Sequence, residues 1–330
     1  MRVLITGALT PLGNTLIKSL NSQGITTITA VDDLTNTITL PDLTELKITD
    51  YMSISGFRTA LKHDNDSSFD RHPEIIFHLY GYTVPNAERD AVIDKVFTFG
   101  KEILHYCQSH RVRLIYASSV SGYREWIARN YSQDKDKRRE QRESIPVDVH
   151  GFSTQLLEAH VAQYPAQQFG TQVVGLRVFD VYGPGDESIA SASYPYQVYH
   201  RMKRALEYRI SGSRNGYEPE AQQRDFVYVD DVVKVVVWSL QHLGIGGVFD
   251  VGSGKTETFS GVLKAVEAAY GGLGRTGLMG IFQYDGMETV FHSCRAADLT
   301  RLREVGFDGE MRGVAAGVND YVEWLETTRI

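Results

Sequence analysis

Residues 3–14 read VLITGALTPLGN, and this stretch decides the fold. Arg2 to Thr6 form a short, mostly apolar run that ends at Gly7. A run without polar alternation is what a parallel strand buried on both faces requires. After it, Leu12, Leu16, Ile17 and Leu20 recur at helical spacing over residues 11–23. The connection is Gly7-Ala8-Leu9-Thr10-Pro11-Leu12-Gly13. A loop of this kind suits a dinucleotide. Its first glycine makes the tight turn and its last lets helix pack on strand. The helix N-terminus offers N–H groups and the positive end of the dipole to a pyrophosphate. The middle position, where backbone approaches the phosphates, is Thr10, whose hydroxyl is a candidate phosphate donor. A plain β–α turn is the competing reading.

Working outward, Thr27 to Val31 reads as a second strand, Leu46 to Ile48 as a weaker third and Glu74 to His78 as a fourth. Residues 91–109 read as one long amphipathic helix. Val112 to Ala117 is a fifth strand, residues 150–168 a helix and Gln172 to Val178 a sixth strand. Alternation of this kind predicts right-handed crossovers and an α/β, Rossmann-type, doubly wound parallel sheet. An acid closing the second strand is placed for the adenosine ribose hydroxyls. Asp32 holds that position and Asp33 follows it, with no Arg or Lys nearby in sequence. A 2′-phosphate would meet two negative charges, so NAD is favoured over NADP. A solvated acid pair in a turn is the bland alternative.

After about residue 180 the rhythm changes to Gly, Pro, Ser and Tyr, then a loop at 211–217 and the segment RDFVYVDDVVKVVVWSL at 224–240. The expected domains are 1–178, holding NAD(P), and a smaller C-terminal substrate-binding domain at 179–330, with 226–252 returning to the edge of the main sheet. The net charge is −7, which argues against a nucleic-acid surface. The basic run Lys135 to Arg142 (KDKRREQR) reads as a solvated face. Cys107 and Cys294 have neither metal nor disulfide spacing, no apolar run reaches the ~18 residues of a membrane span, and no signal-peptide pattern opens the chain. A cytoplasmic protein that needs no membrane is expected.

The chain resembles the extended short-chain dehydrogenase/reductases, the NAD-dependent epimerases and dehydratases. Its strongest likeness is to the ADP-glyceromanno-heptose 6-epimerase family. The stretches that carry this are VLITGALTPLGN (3–14), KEILHYC (101–107), LIYASSVSGY (114–123), GLRVFDVYGPGD (175–186), RDFVYVDDV (224–232), FDVGSGKTETF (249–259) and ADLTRLREVGFD (297–308). The resemblance implies a permanently held NAD or NADP and a transiently oxidised sugar carbon. It implies a Tyr base with a Lys one helical turn on, which lowers the Tyr pKa. Here those two positions are His150 and Thr154, in DVHGFSTQLL (148–157). Ser119 keeps the role of hydrogen-bonding the reacting hydroxyl. No Lys follows Tyr182-Gly183-Pro184, where a second base belongs, and the Asn expected in the long helix falls near Val96.

The implied cofactor residues are Gly7, Thr10, Pro11, Leu12, Gly13, Asp32, Asp33, Asp50, Leu79, Gly81, Thr154 and Val181. The implied substrate residues are Asp180, Ser191, Ser213 and Arg224, the last as a planar fork for a phosphate or else in an ion pair with Asp225 or Asp230. His150 is the surviving acid–base candidate, because an imidazole titrates near neutrality without help. Tyr123 is a further candidate phenol, and Tyr80 and Tyr82 read as aromatic walls. The insertion from Trp126 to Asp148 reads as a solvated loop or flap. The function expected is a diverged sugar-nucleotide epimerase or dehydratase. The alternatives are a repurposed non-redox lyase, cyclase or isomerase and an inactive nucleotide-binding homologue. The expected partners are a nucleotide sugar and a second copy of the chain.

Overall fold

Five mostly apolar strands build the centre of the first unit. β1 (Val3–Thr6) lies between β2 (Ile28–Val31) and β4 (Ile75–His78), parallel to both. β5 (Arg113–Ser119) follows β4, and β6 (Val173–Val178) follows β5, again in parallel. With β3 (Asp50–Met52) and β10 (Gly247–Val251) at the edges, the seven-stranded order is β10-β6-β5-β4-β1-β2-β3. This is the doubly wound Rossmann-type sheet that the alternation implies. Strand order reverses between β1 and β4, and the carboxyl ends of those two strands therefore frame the crevice where such sheets bind ligands. The computed structural model describes residues 1–33, 44–63, 72–80, 88–120, 149–164, 170–186, 192–204, 223–274 and 296–328. The chain forms two units, Met1–Val178 with Val235–Phe249, and Phe179–Lys234 with Asp250–Ile330.

Three elements differ from the sequence reading. The third strand is Asp50–Met52, not 46–48. The amide of Asn21 holds both the N–H and the carbonyl of Lys47, so pairing with β2 starts only beyond it, at Thr29 with Asp50. The long helix is α3 (Arg89–Ile93), a π-helical turn (Asp94–Thr98) and α4 (Phe99–His110), a break that a 3.6-residue pattern does not reveal. Of the segment 226–252, β10 joins the main sheet, whereas β9 (Phe226–Tyr228) pairs with β7 (Asp180–Tyr182) in a separate ribbon.

The core of the first unit packs Leu4, Ile76, Leu114 and Tyr116 of the sheet against Phe99, Ile103 and Cys107 of α4 and Leu157 of α5 (Val149–Ala162). Each such side chain contributes about 1.5–3 kcal/mol on burial. A polar clamp fixes α5 to the sheet. Glu158 takes the Ser118 hydroxyl of β5 at 2.5 Å and the Arg177 guanidinium of β6 at 2.6 Å. In the second unit, α8 (Phe259–Gly272) and α10 (Val314–Thr327) pack through Val262, Val266, Val318, Val322 and Leu325. No helix among the described residues is long and apolar enough to cross a membrane.

His78 ends β4 fully enclosed, with Nδ1 2.7 Å from the Thr6 hydroxyl and its ring edge-on to Phe99 at 5.4 Å. Burial pushes its pKa down to about 4. The unfolded chain therefore binds this proton first, and stability is lost as pH falls from about 6.5 through 4, by about 3 kcal/mol. His78→Asn keeps a polar atom and removes the titration. Denaturant unfolding across this range is expected to show the stability gap between wild type and variant closing by that amount toward acid. A gap constant with pH would mean that His78 is not a neutral buried imidazole.

Candidate functional site

The loop between β1 and α1 (Pro11–Ser22) closes because two positions carry no Cβ. Gly7 has φ of 72°, and a Cβ there would lie 2.7 Å from the Leu79 backbone and 2.8 Å from the Tyr80 nitrogen. A Cβ on Gly13 would lie 2.0 Å from the Gly7 carbonyl oxygen. Thr10 is the N-cap of α1. Its hydroxyl donates to the Gly7 carbonyl at 2.7 Å and accepts the Gly13 N–H at 3.1 Å. Here the proton of Thr10 is held inside the loop, and the side chain folds back to cap the helix, instead of the donation to a phosphate that the sequence suggests. Pro11 occupies the first turn without an N–H to satisfy, Leu12 follows it, and the first turn holds no acidic residue.

Asp32 is buried at the end of β2 and docks on this loop. One carboxylate oxygen accepts the Leu9 N–H at 2.9 Å and the other the Asp33 N–H at 2.9 Å. Burial raises its pKa, and these two N–H groups act against that rise. Each oxygen has a second lone pair, so a ribose hydroxyl can still donate to it. Asp33 turns outward and accepts the Ile54 N–H at 3.2 Å, at the start of α2 (Ile54–His63). A helix N-terminus without acids beside a two-oxygen acceptor is the donor and acceptor set that fits a pyrophosphate and a ribose. Leu79 is buried against Gly7, with its N–H on the Thr6 carbonyl at 3.0 Å.

Asp50 does not reach this crevice. It is exposed and level with Thr29 and Leu4, at the amino end of its strand, and its carboxylate accepts the Tyr51 N–H. The structure instead brings in a residue that sequence reading missed. Lys95, on the π-helical turn, places Nζ 4.4 Å over the Tyr80 ring, and Asp32 and Asp33 both act on its charge. The statement that no cation lies near the acid pair holds along the chain but not in space.

Ser119 closes β5, level with Val178 of β6 and three residues beyond the end of β4, where His78 pairs with Tyr116. The crossover from β5 to β6 makes α5 run back along the strands. Glu158 is level with Ser118, so His150, eight residues earlier, stands about 12 Å up the helix axis, beyond the carboxyl end of β5. Thr154 is buried, and its hydroxyl donates to the Gly151 carbonyl at 2.9 Å. The resemblance places a cofactor contact here, but that donor is used within the helix.

In the second unit, Arg224 on β8 (Gln223–Arg224) pairs with Asp180 at 2.6 Å, not with Asp225 or Asp230. The other Asp180 oxygen is buried and has no hydrogen-bond partner. Asp225 is fully buried and accepts the N–H groups of Ser253, Gly254 and Ala297, which fixes the strand beside Arg224. Val181 lies in β7 opposite Val227. Tyr123, Gly81, Ser191, Ser213, Tyr82 and the 126–148 insertion lie outside the described residues.

The model of the NAD dependent epimerase/dehydratase family matches residues 3–252. The chain belongs to that family. The UDP-glucose 4-epimerase of Thermotoga maritima, solved with UDP-glucose, superposes with a TM-score of 0.78 at 21% identity, covering 99% of both chains. The ADP-L-glycero-D-manno-heptose-6-epimerase of Helicobacter pylori gives 0.74 at 19% identity over 99% of this chain and 96% of its own. A UDP-glucose 4-epimerase of Thermus thermophilus, in complex with NAD, gives 0.73 at 19% over 99% of both chains. At these identities the superpositions establish a shared fold. The family match carries the membership.

For a family member with this loop, Gly13 is the most constrained position. Gly13→Ala drives a methyl into the Gly7 carbonyl, a backbone atom that has no rotamer to yield. The expected result is a fall in Tm of roughly 3–10 °C, from about 1–3 kcal/mol of overpacking. Thermal unfolding reads it directly. An unchanged Tm would mean that the loop is not closed as described.

Proposed function

We propose that this chain is an enzyme of the sugar-nucleotide epimerase or dehydratase type that holds NAD(P) at the β1–α1 loop. The observation that carries the proposal is the closed Gly7–Gly13 loop docked on the Asp32 carboxylate. The nicotinamide, when bound, supplies the acceptor and donor of a hydride. The rest falls to this chain's own groups. Ser119 holds the reacting hydroxyl by a hydrogen bond. His150 takes that hydroxyl's proton and returns it. A phenol would need a neighbouring ammonium for this task, and Thr154 offers none. An imidazole with an ordinary pKa of about 6.5 needs no such neighbour.

Two measurements test this. Mass spectrometry of the ligand released on denaturing the purified protein is expected to find NAD or NADP at close to one per chain. His150→Ala is expected to keep cofactor affinity and lose turnover of nucleotide sugars. Retained turnover would remove His150 from the mechanism, and a chain that neither carries nor binds cofactor would remove the redox reading.

The substrate is proposed to be a nucleotide sugar, as in the relatives solved with UDP-glucose. Arg224 would meet its phosphates, but Asp180 neutralises that guanidinium at 2.6 Å. Asp180→Asn removes the competing carboxylate, and the dissociation constant for UDP is expected to fall about tenfold, equivalent to roughly 1.4 kcal/mol. Calorimetric titration measures it. Unchanged affinity would place the phosphates elsewhere. A second reading draws on the Thr154 hydroxyl being spent within its helix. In it the nucleotide is only structural and the chemistry is non-redox or absent. Turnover that survives full removal of cofactor would favour it.

A further inference from the structure

We infer that Lys95 sets the choice of cofactor: its ammonium offsets the Asp32–Asp33 pair, so that the site admits the 2′-phosphate of NADP alongside NAD. The inference rests on the reading that the cofactor sits at the Gly7–Gly13 loop.

The position of the ammonium is fixed by a chain of contacts. The backbone of Tyr80 lies against Gly7, so close that a Cβ on Gly7 would fall 2.8 Å from the Tyr80 nitrogen. The Tyr80 ring packs edge-on to the buried Phe99 at 5.9 Å. Lys95 Nζ lies 4.4 Å over the same ring. Val96, the next residue, is buried and anchors the π-helical turn that carries Lys95. The loop, the tyrosine and the ammonium are therefore held in one arrangement, next to the acid pair at the end of β2.

The local charges favour this role. Arg58, a second cation of this region, is committed elsewhere, to Asp94 at 2.6 Å and to Glu102 at 2.8 Å. Burial lowers the Lys95 pKa, and the charges of Asp32 and Asp33 act against that fall. The Asp33 carboxylate accepts the Ile54 N–H, which turns part of its charge toward α2. An acid pair alone rejects a 2′-phosphate carrying about −1.5 to −2 charge. An ammonium over an aromatic face, half-buried and close by, supplies the attraction that offsets this rejection. The 2′-hydroxyl of NAD makes no such demand on it.

Equilibrium titration of the purified chain, stripped of any ligand, with NAD and NADP tests the inference without reference to turnover. Wild type is expected to bind NADP within about tenfold of NAD. Lys95→Met is expected to weaken NADP at least tenfold and to leave NAD within two- to threefold, and Lys95→Arg to restore NADP. Circular dichroism of each variant confirms that it is folded. A wild type that binds NAD but discriminates more than a hundredfold against NADP overturns the inference and leaves the proposed function intact. So does a Lys95→Met loss that is equal for both cofactors. A wild type that binds neither overturns both.

Discussion

The carboxylate of Asp32 is the constraint on which the first unit's site depends. It ends β2, is buried, and has its two oxygens on the Leu9 and Asp33 N–H groups. A buried carboxylate without such donors costs several kcal/mol. Here the loop supplies one donor and the strand end the other, so loop and sheet are stable only together. That coupling lets a glycine-poor loop work. With Asp32 holding Leu9, and Gly13 packed on the Gly7 carbonyl, the side chain of Thr10 has one place to go. It turns inward as the helix cap. The substitution at the middle position therefore leaves the first turn of α1 without an acid or an outward hydroxyl, facing the crevice with its backbone.

The same device recurs in each unit. Asp225 is fully buried and gathers the N–H groups of Ser253, Gly254 and Ala297. Burial raises its pKa, and those donors act against it. Glu158 gathers the Ser118 hydroxyl and the Arg177 guanidinium. Removing one partner of such a set leaves an uncompensated charge, at a cost of about 3–5 kcal/mol. Each carboxylate sits next to a candidate functional residue: Asp33, Arg224, or Ser119 through Ser118. Asp225 and Glu158 hold neighbouring elements in place, whereas Asp32 does this and keeps lone pairs for a ligand.

The fold was legible because its signals are local. Strands such as Val3–Thr6 and Ile75–His78 are buried along their whole length and read as unbroken apolar runs. Gly7, Gly13 and Asp32 were legible for the same reason, since turn chemistry and strand ends are written in adjacent residues. What was not legible is non-local. Lys95 reaches the acid pair from some sixty residues away, off a π-helical turn that no 3.6-residue pattern encodes. Arg224 meets Asp180 across 44 positions, a pairing set by the β7–β9 ribbon. Thr10 and Thr154 were read by position, whereas the direction of a hydroxyl depends on the carbonyl nearest to it. Those carbonyls are Gly7 and Gly151, and both lie within one turn of chain. Asp50 came from the resemblance alone, with the third strand expected at 46–48. When the strand moved to Asp50–Met52, the residue moved from its end to its beginning.

On the proposed reading, with His150 and Thr154 at the positions that the resemblance gives to Tyr and Lys, the change is chemically coherent. The two family residues form a dependent pair, because a phenol with a pKa near 10 is a base at neutral pH only beside a cation. Changing the phenol to an imidazole removes the need for the ammonium. A Lys left in place would depress the imidazole pKa and weaken it as a base. A small, neutral residue is then the better neighbour. Thr154 meets that requirement: it is buried, uncharged, and satisfied within its own helix. The helix that carries both is clamped to β5 and β6 through Glu158. On the proposed reading, one self-sufficient proton carrier takes the place of a dependent pair, and the loss of the ammonium follows from the loss of the phenol.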